Sequence, residues 1–215
     1  MKKYIILLPL ILFCISTKSQ SFYGGLDLGV TISQVDGDNN SGYHKITPSG
    51  GVFVRNTFVD SQWGFSASIL YKYKGSNGSL EDEAGNIINS FSINLQYVEI
   101  PVMLNYNVKN IAIPNVFDYK FKNDFYLEFG LSYGYLIQGE KYYNKVKDPY
   151  QKFNKYEIAT QLGFIYRLSQ HFYFNYRFSY TIPLLPIAIH PGGQTYRLNR
   201  GMYNNNMCFS VRYEF

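Results

Sequence analysis

A chain of 215 residues with 16% charged side chains suits one domain, and its formal +5 charge is no sign of a polyanion partner, because it falls to +2 once Lys2, Lys3 and Lys18 leave with residues 1–19. Of the two cysteines only Cys208 then remains, which excludes an internal disulfide. Aromatics at 19%, with 22 Tyr, 17 Phe and 18 Gly, point to strands, and past the first residues no apolar run is long enough for a spanning helix.

Residues 1–19 read as an export signal. Lys2 and Lys3 precede the apolar run YIILLPLILFCIS, and the small residues Thr17 and Ser19 stand at the positions that direct cleavage before Gln20. A lipoprotein signal using Cys14 fits less well, since a bulky Phe13 precedes that cysteine. Residues 20–215 form the single mature domain.

Eight stretches then alternate with a period of two: approximately 22–33, 49–59, 63–74, 94–107, 124–138, 156–168, 171–182 and 206–215. In the fourth, LQYVEIPVMLNY, one face carries Val98, Ile100, Val102, Leu104 and Tyr106, and the other Tyr97, Glu99, Pro101, Met103 and Asn105. The fifth sets Leu127, Phe129, Leu131, Tyr133 and Tyr135 against Glu128, Gly130, Ser132 and Gly134. Across all eight, Asp27, Arg55, Lys72, Lys74, Glu99, Glu128, Glu157, Arg167, Arg177, Arg212 and Glu214 fall on the less apolar face.

A soluble sandwich would bury the apolar face and wet the charged one. Three features favour the opposite arrangement. The strands approach the length a tilted strand needs to cross a bilayer. Aromatics gather towards the ends of the apolar faces, as interfacial girdles do. The chain also ends in the alternating MCFSVRYEF, which a soluble sheet would leave as an open edge. The expected fold is therefore all-β: an eight-stranded antiparallel transmembrane β-barrel in the bacterial outer membrane, with short periplasmic turns near 60–62 and 169–170 and long extracellular loops. The link 108–123 breaks that asymmetry, being long on the periplasmic side, and part of it is expected to extend the fourth and fifth strands.

Eight strands leave an interior just wide enough for side chains to fill. The inward charges are accordingly expected to form a paired lumen network of Asp27, Arg55, Glu99, Glu128, Glu157, Arg167, Arg177, Arg212 and Glu214, linked by Tyr hydroxyls, in which Glu128 and Arg167 share a depth and so do Arg212 and Asp27. Pro101 lacks a ladder donor and should mark a bulge or bend. The loop GEKYYNKVKDPYQKFN and the residue after it supply Lys141, Lys145, Lys147, Lys152 and Lys155, which suit either a solvated face or contact with lipopolysaccharide phosphates. Residues 36–42, DGDNNSG, lack the Gly and Glu of a calcium loop. His44, His171 and His190 have no spacing that sets a nucleophile beside a base.

The chain from about 22 to 215 resembles the PorT-like outer-membrane β-barrels of Bacteroidetes. The likeness rests on GGLDLGV, ILYKYKG, LQYVEIPVMLNY, YLEFGLSYGYLI and the terminal VRYEF, with Tyr97-Val98-Glu99-Ile100-Pro101 the most specific. It implies an eight-stranded porin-like barrel in the cell envelope and no particular activity, although some relatives are associated with type IX secretion. The expected function is a non-enzymatic structural or interaction module with a charge-plugged lumen and no catalytic, metal or cofactor site. The alternatives are a small channel or transporter, a component associated with a secretion system, and an outer-membrane lipid-modifying enzyme. Expected partners are outer-membrane lipid and lipopolysaccharide, and envelope proteins through the extracellular loops or the 108–123 link; nucleic acid is not among them.

Overall fold

Period-two alternation becomes strands at Phe22–Asp36 (β1), Lys45–Thr57 (β2), Trp63–Glu81 (β3), Ile87–Ile113 (β4), Phe117–Tyr143 (β5), Val146–Lys147 (β6), Tyr156–Arg167 (β7), Phe172–Thr181 (β8), Ala188–Ile189 (β9) and Gly201–Glu214 (β10). The structure, a computed structural model, describes residues 21–38, 42–81, 87–113, 117–189 and 201–215, leaving aside the side chains of 80, 81, 110–113 and 117–121. The signal at 1–19, His190 and the middle of the 36–42 loop lie outside the described residues.

The ring runs β1-β2-β3-β4-β5-β7-β8-β10, and β10 closes it on β1 from Gly25↔Glu214 to Asp36↔Tyr203. Every pairing is antiparallel. Closure leaves no unpaired edge in the bilayer, where an unsatisfied backbone group would cost several kcal/mol. Burial is inverted relative to a soluble protein: Leu28, Leu131 and Leu162 are 63%, 55% and 61% exposed, while Lys72 and Glu99 are fully enclosed. Aromatic rings mark both ends of the apolar band, with Trp63 4.7 Å from Tyr106 on the periplasmic side and Tyr135 5.7 Å from Tyr156 on the other. This is a transmembrane barrel turned out towards lipid.

The periplasmic turns are as short as expected. Asp60 takes a left-handed backbone (φ 54) between β2 and β3, and Phe58 N–H donates to Trp63 O at 2.9 Å. Between β7 and β8, Leu168 N–H donates to Phe172 O at 2.9 Å.

Three expectations are corrected. First, β3, β4 and β5 continue beyond the membrane as paired hairpins, through Asn77↔Ser92 and Ser92↔Tyr142. The alternation also continues there, but its inward members Phe91, Ile93 and Leu95 are apolar, so a search for a polar inner face stops at residue 94. Second, the 108–123 link extends the fourth and fifth strands as expected but further than a part of it, since the two pair from Asn110↔Lys120 to Ile113↔Phe117 after a register shift beyond Val108. Third, Pro101 makes no bulge. The β3–β4 ladder lapses between Ala67↔Val102 and Leu70↔Glu99 and resumes in the same register, while Pro101 stays paired with Ser132 of β5. The missing donor costs a ladder bond on one side only. The nearby bulge lies at Gln96/Tyr97, where β5 carries an extra residue.

Above the bilayer β3 folds over the mouth. Gly75 (φ 135) makes the bend, its carbonyl accepts from Ser33 Oγ at 2.9 Å, and Ser76 Oγ donates to Asp38. The bend brings Phe91, Ile93, Leu95 and Tyr97 of β4 against Val35, Leu136, Ile187, Ala188 and Met202. The extracellular end of the lumen is thus closed by an apolar lid, held partly by Ile187 N–H donating to Met202 O at 2.8 Å.

Candidate functional site

Inward alternation stacks the charges in layers. At the periplasmic mouth Arg55 Nε and Nη2 form a fork on Glu214, the latter at 2.8 Å from Oε1, and Nη2 also reaches Tyr173 OH at 3.0 Å. Tyr23 and Tyr173 lie against this guanidinium, each ring centre 5.1 Å away.

The next layer joins Asp27, Arg212, Glu128 and Arg177. Asp27 and Arg212 are direct partners across β1–β10, with Nε–Oδ2 at 2.8 Å. Glu128 receives Arg177 Nε, Arg177 Nη2 at 3.0 Å and Asn175 Nδ2 at 2.8 Å, and Arg212 Nη1 stands 3.8 Å away. Glu128 and Arg177 belong to strands separated by β7, whose residue at that level is Gly163. The absent side chain leaves the path between them open.

The third layer repeats the device. Glu99 and Glu157 flank Gly134 in register, so Lys74 reaches both, at 2.6 and 3.2 Å. Lys72 adds a 2.8 Å bond to Glu99, Gln161 Nε2 donates to Glu99 at 2.6 Å, and Thr181 Oγ1 donates to Glu157 at 2.6 Å. In these two inner layers Lys72, Lys74, Arg177 and Arg212 face Asp27, Glu99, Glu128 and Glu157, so the plug is electrically neutral, and each carboxylate has a cation within 3.2 Å. Such mutual pairing offsets the large desolvation cost of an isolated buried charge.

Not every residue of the expected network joins it. Arg167 lies at the periplasmic rim, paired with Asp124 at 3.0 Å and with its side chain 37% exposed, and Glu128 takes Arg177 instead. The reason is position: Arg167 is the last residue of β7, opposite Tyr173, beyond the enclosed lumen. Nor is Glu99 linked to the guanidinium layer; among the described residues no ion pair crosses between them, and the third layer is built from lysines. Lys45, outside the eight alternating stretches, is buried and donates to Ile93 O at 2.6 Å and to Asn94 Oδ1.

The five loop lysines do not share a face. Lys141 is buried with Nζ 4.9 Å from the Tyr143 ring centre, because its position points into the mouth. Lys147 pairs with Glu140 at 2.6 Å, and Lys145, Lys152 and Lys155 are exposed. Hydrogen bonds from Lys147 and Tyr142 hold the Glu140 carboxyl down to about 2. His171 Nδ1 sits 2.9 Å from Glu214 O at the periplasmic rim, and His44 is exposed at the extracellular one.

No curated protein matches the chain significantly. Among solved structures it is similar to the attachment invasion locus protein Ail of Yersinia pestis, at 11% identity over 90% of this chain and 98% of that one, with a TM-score of 0.45. It is also similar to Neisserial surface protein A, at 12% identity over 92% and 100% with a TM-score of 0.42, and to a de novo designed transmembrane β-barrel, at 11% over 92% and 100% with a TM-score of 0.35. Residues 18–185 match the family described as outer membrane protein beta-barrel domain. That is well over half of the chain, and this outer-membrane barrel belongs to that family.

Proposed function

We propose that the protein is a sealed, non-enzymatic module of the outer membrane whose work is done by the hairpins it displays rather than by its lumen. The observation that carries this reading is the neutral, charge-paired plug beneath an apolar lid. An ion pathway needs charged groups free to exchange partners with the solute, and here the charges are committed to one another. Planar-bilayer recording of the purified barrel tests it: a silent bilayer is expected, and discrete conductance steps would replace the reading with that of a channel or transporter.

Finer assignments belong to the same proposal. Export by cleavage after Ser19 predicts a mature N-terminus at Gln20, read by N-terminal sequencing. Membership of the PorT-like group of Bacteroidetes is supported by the Tyr97–Pro101 segment, whose alternate residues divide between the lumen and lipid. Lipopolysaccharide is the expected neighbour of the exposed Lys145, Lys152 and Lys155. The periplasmic hairpin of β4 and β5 favours one second reading, that of docking to an envelope protein such as a secretion component. Its outer parts extend past the partner strands β3 and β7, which end opposite Tyr106 and Phe125. Cross-linking from cysteines placed at 109 and 122 in native membranes would capture such a partner.

A further inference from the structure

The extracellular hairpins of β3, β4 and β5 enclose a cleft of about 1010 Å³. Its lining is unlike the lumen and unlike the lipid face. Asn77, Ser90, Ser92 and Asn94 supply amides and hydroxyls, and Tyr142 supplies a ring. Asn77, Ser92 and Tyr142 are consecutive partners across the three strands. Asn77 lies six residues past Tyr71, which is level with Tyr135 of the aromatic girdle through Val98, and this places the cleft on the extracellular side above the girdle.

The site is built rather than incidental. Ser92 Oγ donates to Asn77 Oδ1 at 2.8 Å, and Tyr142 OH donates to Glu140 at 2.7 Å, which orients the ring. Asn144 and Lys145 turn the chain with positive φ of 46 and 67, and that turn is bonded to β4: Ser90 N–H donates to Asn144 Oδ1 at 2.8 Å and Asn144 N–H to Ser90 O at 2.8 Å. Lys145 is thereby held at the margin of the cleft in a left-handed backbone conformation that a lysine rarely adopts. His44 stands at the margin as well, and among the described residues no carboxylate is part of the lining.

Side-chain amides and hydroxyls both donate and accept, which is what vicinal sugar hydroxyls require. An aromatic ring serves the C–H face of a pyranose, and because Glu140, the carboxylate that touches Tyr142, is taken up by Lys147, the cation of Lys145 suits an acidic group. We propose that this cleft binds an acid-bearing oligosaccharide, with Asn77, Ser92 and Tyr142 holding the sugar and Lys145 its carboxylate or phosphate. This deepens the reading of the barrel as an interaction module and rests on it; conductance would remove that reading, whereas a silent barrel that binds no sugar would remove only this one.

The test is calorimetric titration of the intact barrel in nanodiscs with three probes: delipidated lipopolysaccharide core, a uronic-acid oligosaccharide and a neutral maltooligosaccharide. The acidic probes should bind at least tenfold more tightly than the neutral one. Lys145→Gly, which suits the positive φ and so keeps the turn, should weaken acidic binding by on the order of tenfold, as should Asn77→Ala combined with Ser92→Ala; Lys152→Ala, outside the cleft, should change nothing. Preference for the core over the uronic probe identifies the membrane's own lipopolysaccharide as the source, and the reverse preference a foreign glycan; both support the site. No acidic probe bound at all, the neutral probe bound as tightly as the acidic ones, or both cleft variants binding like wild type would overturn it.

Discussion

Glu99 and Asp124 carry the same kind of charge and should behave very differently when it is removed. Glu99 is enclosed between two lysines and Gln161, so Glu99→Gln preserves shape while leaving Lys74 with Glu157 alone and taking from Lys72 its carboxylate partner. Breaking a buried pair from one side costs about 3–5 kcal/mol, since the abandoned charge stays buried. Asp124→Asn releases Arg167 into water and should cost under about 1 kcal/mol. Urea unfolding in lipid vesicles measures both, and equal losses would contradict the enclosed third layer. The sequence shows both carboxylates plainly. It does not show their partners, because an ion pair such as Glu128–Arg177 spans an intervening strand and depends on Gly163 standing at that level.

At the scale of the strand, phase decides everything. Leu131 faces lipid and Ser132 the lumen, adjacent in sequence but on opposite walls. Leu131→Arg should cost about 2–4 kcal/mol near the middle of the bilayer, whereas Ser132→Arg meets a filled interior and fails on volume. Folding yield into vesicles, read from the gel shift between boiled and unboiled samples, distinguishes the two. Gly75 tests the bend over the mouth. An added Cβ there would meet Ile93 O in a backbone region that L residues rarely enter, so Gly75→Ala should loosen the lid and speed hydrogen exchange at the Ile93 and Leu95 amides. The alternation made every crossing segment legible. It left the hairpin extensions of β3, β4 and β5 unread, because the inward residues of β4 switch from charged to apolar where the chain leaves the membrane.

For the molecule as a whole, two different seals lie in series, the apolar lid around Ile93, Leu95, Ile187 and Met202 and the ionic layers beneath it. Removing one should not open a path. Ile93→Ser with Leu95→Ser should therefore leave planar bilayers silent, as the wild type does, while the Lys72–Glu99 layer stays intact; current through this variant alone would place the whole barrier in the lid. The closed ring itself should resist detergent until heated, as the β1–β10 pairing leaves no edge from which to unzip.

By itself the sequence determined that there would be a barrel, how many strands cross, and which residues face lipid. Those follow from a strict period of two, which every spanning strand must obey because one wall meets hydrocarbon and the other a filled lumen. Only the tertiary structure decided which charges pair, that Arg167 and Lys141 stand apart from the groups they were expected to join, and that an apolar lid closes the mouth. Pairing across a barrel depends on the register between strands far apart in the chain, on glycines that leave gaps at matching heights, and on a bend at Gly75. None of these leaves a mark in the local alternation of residues.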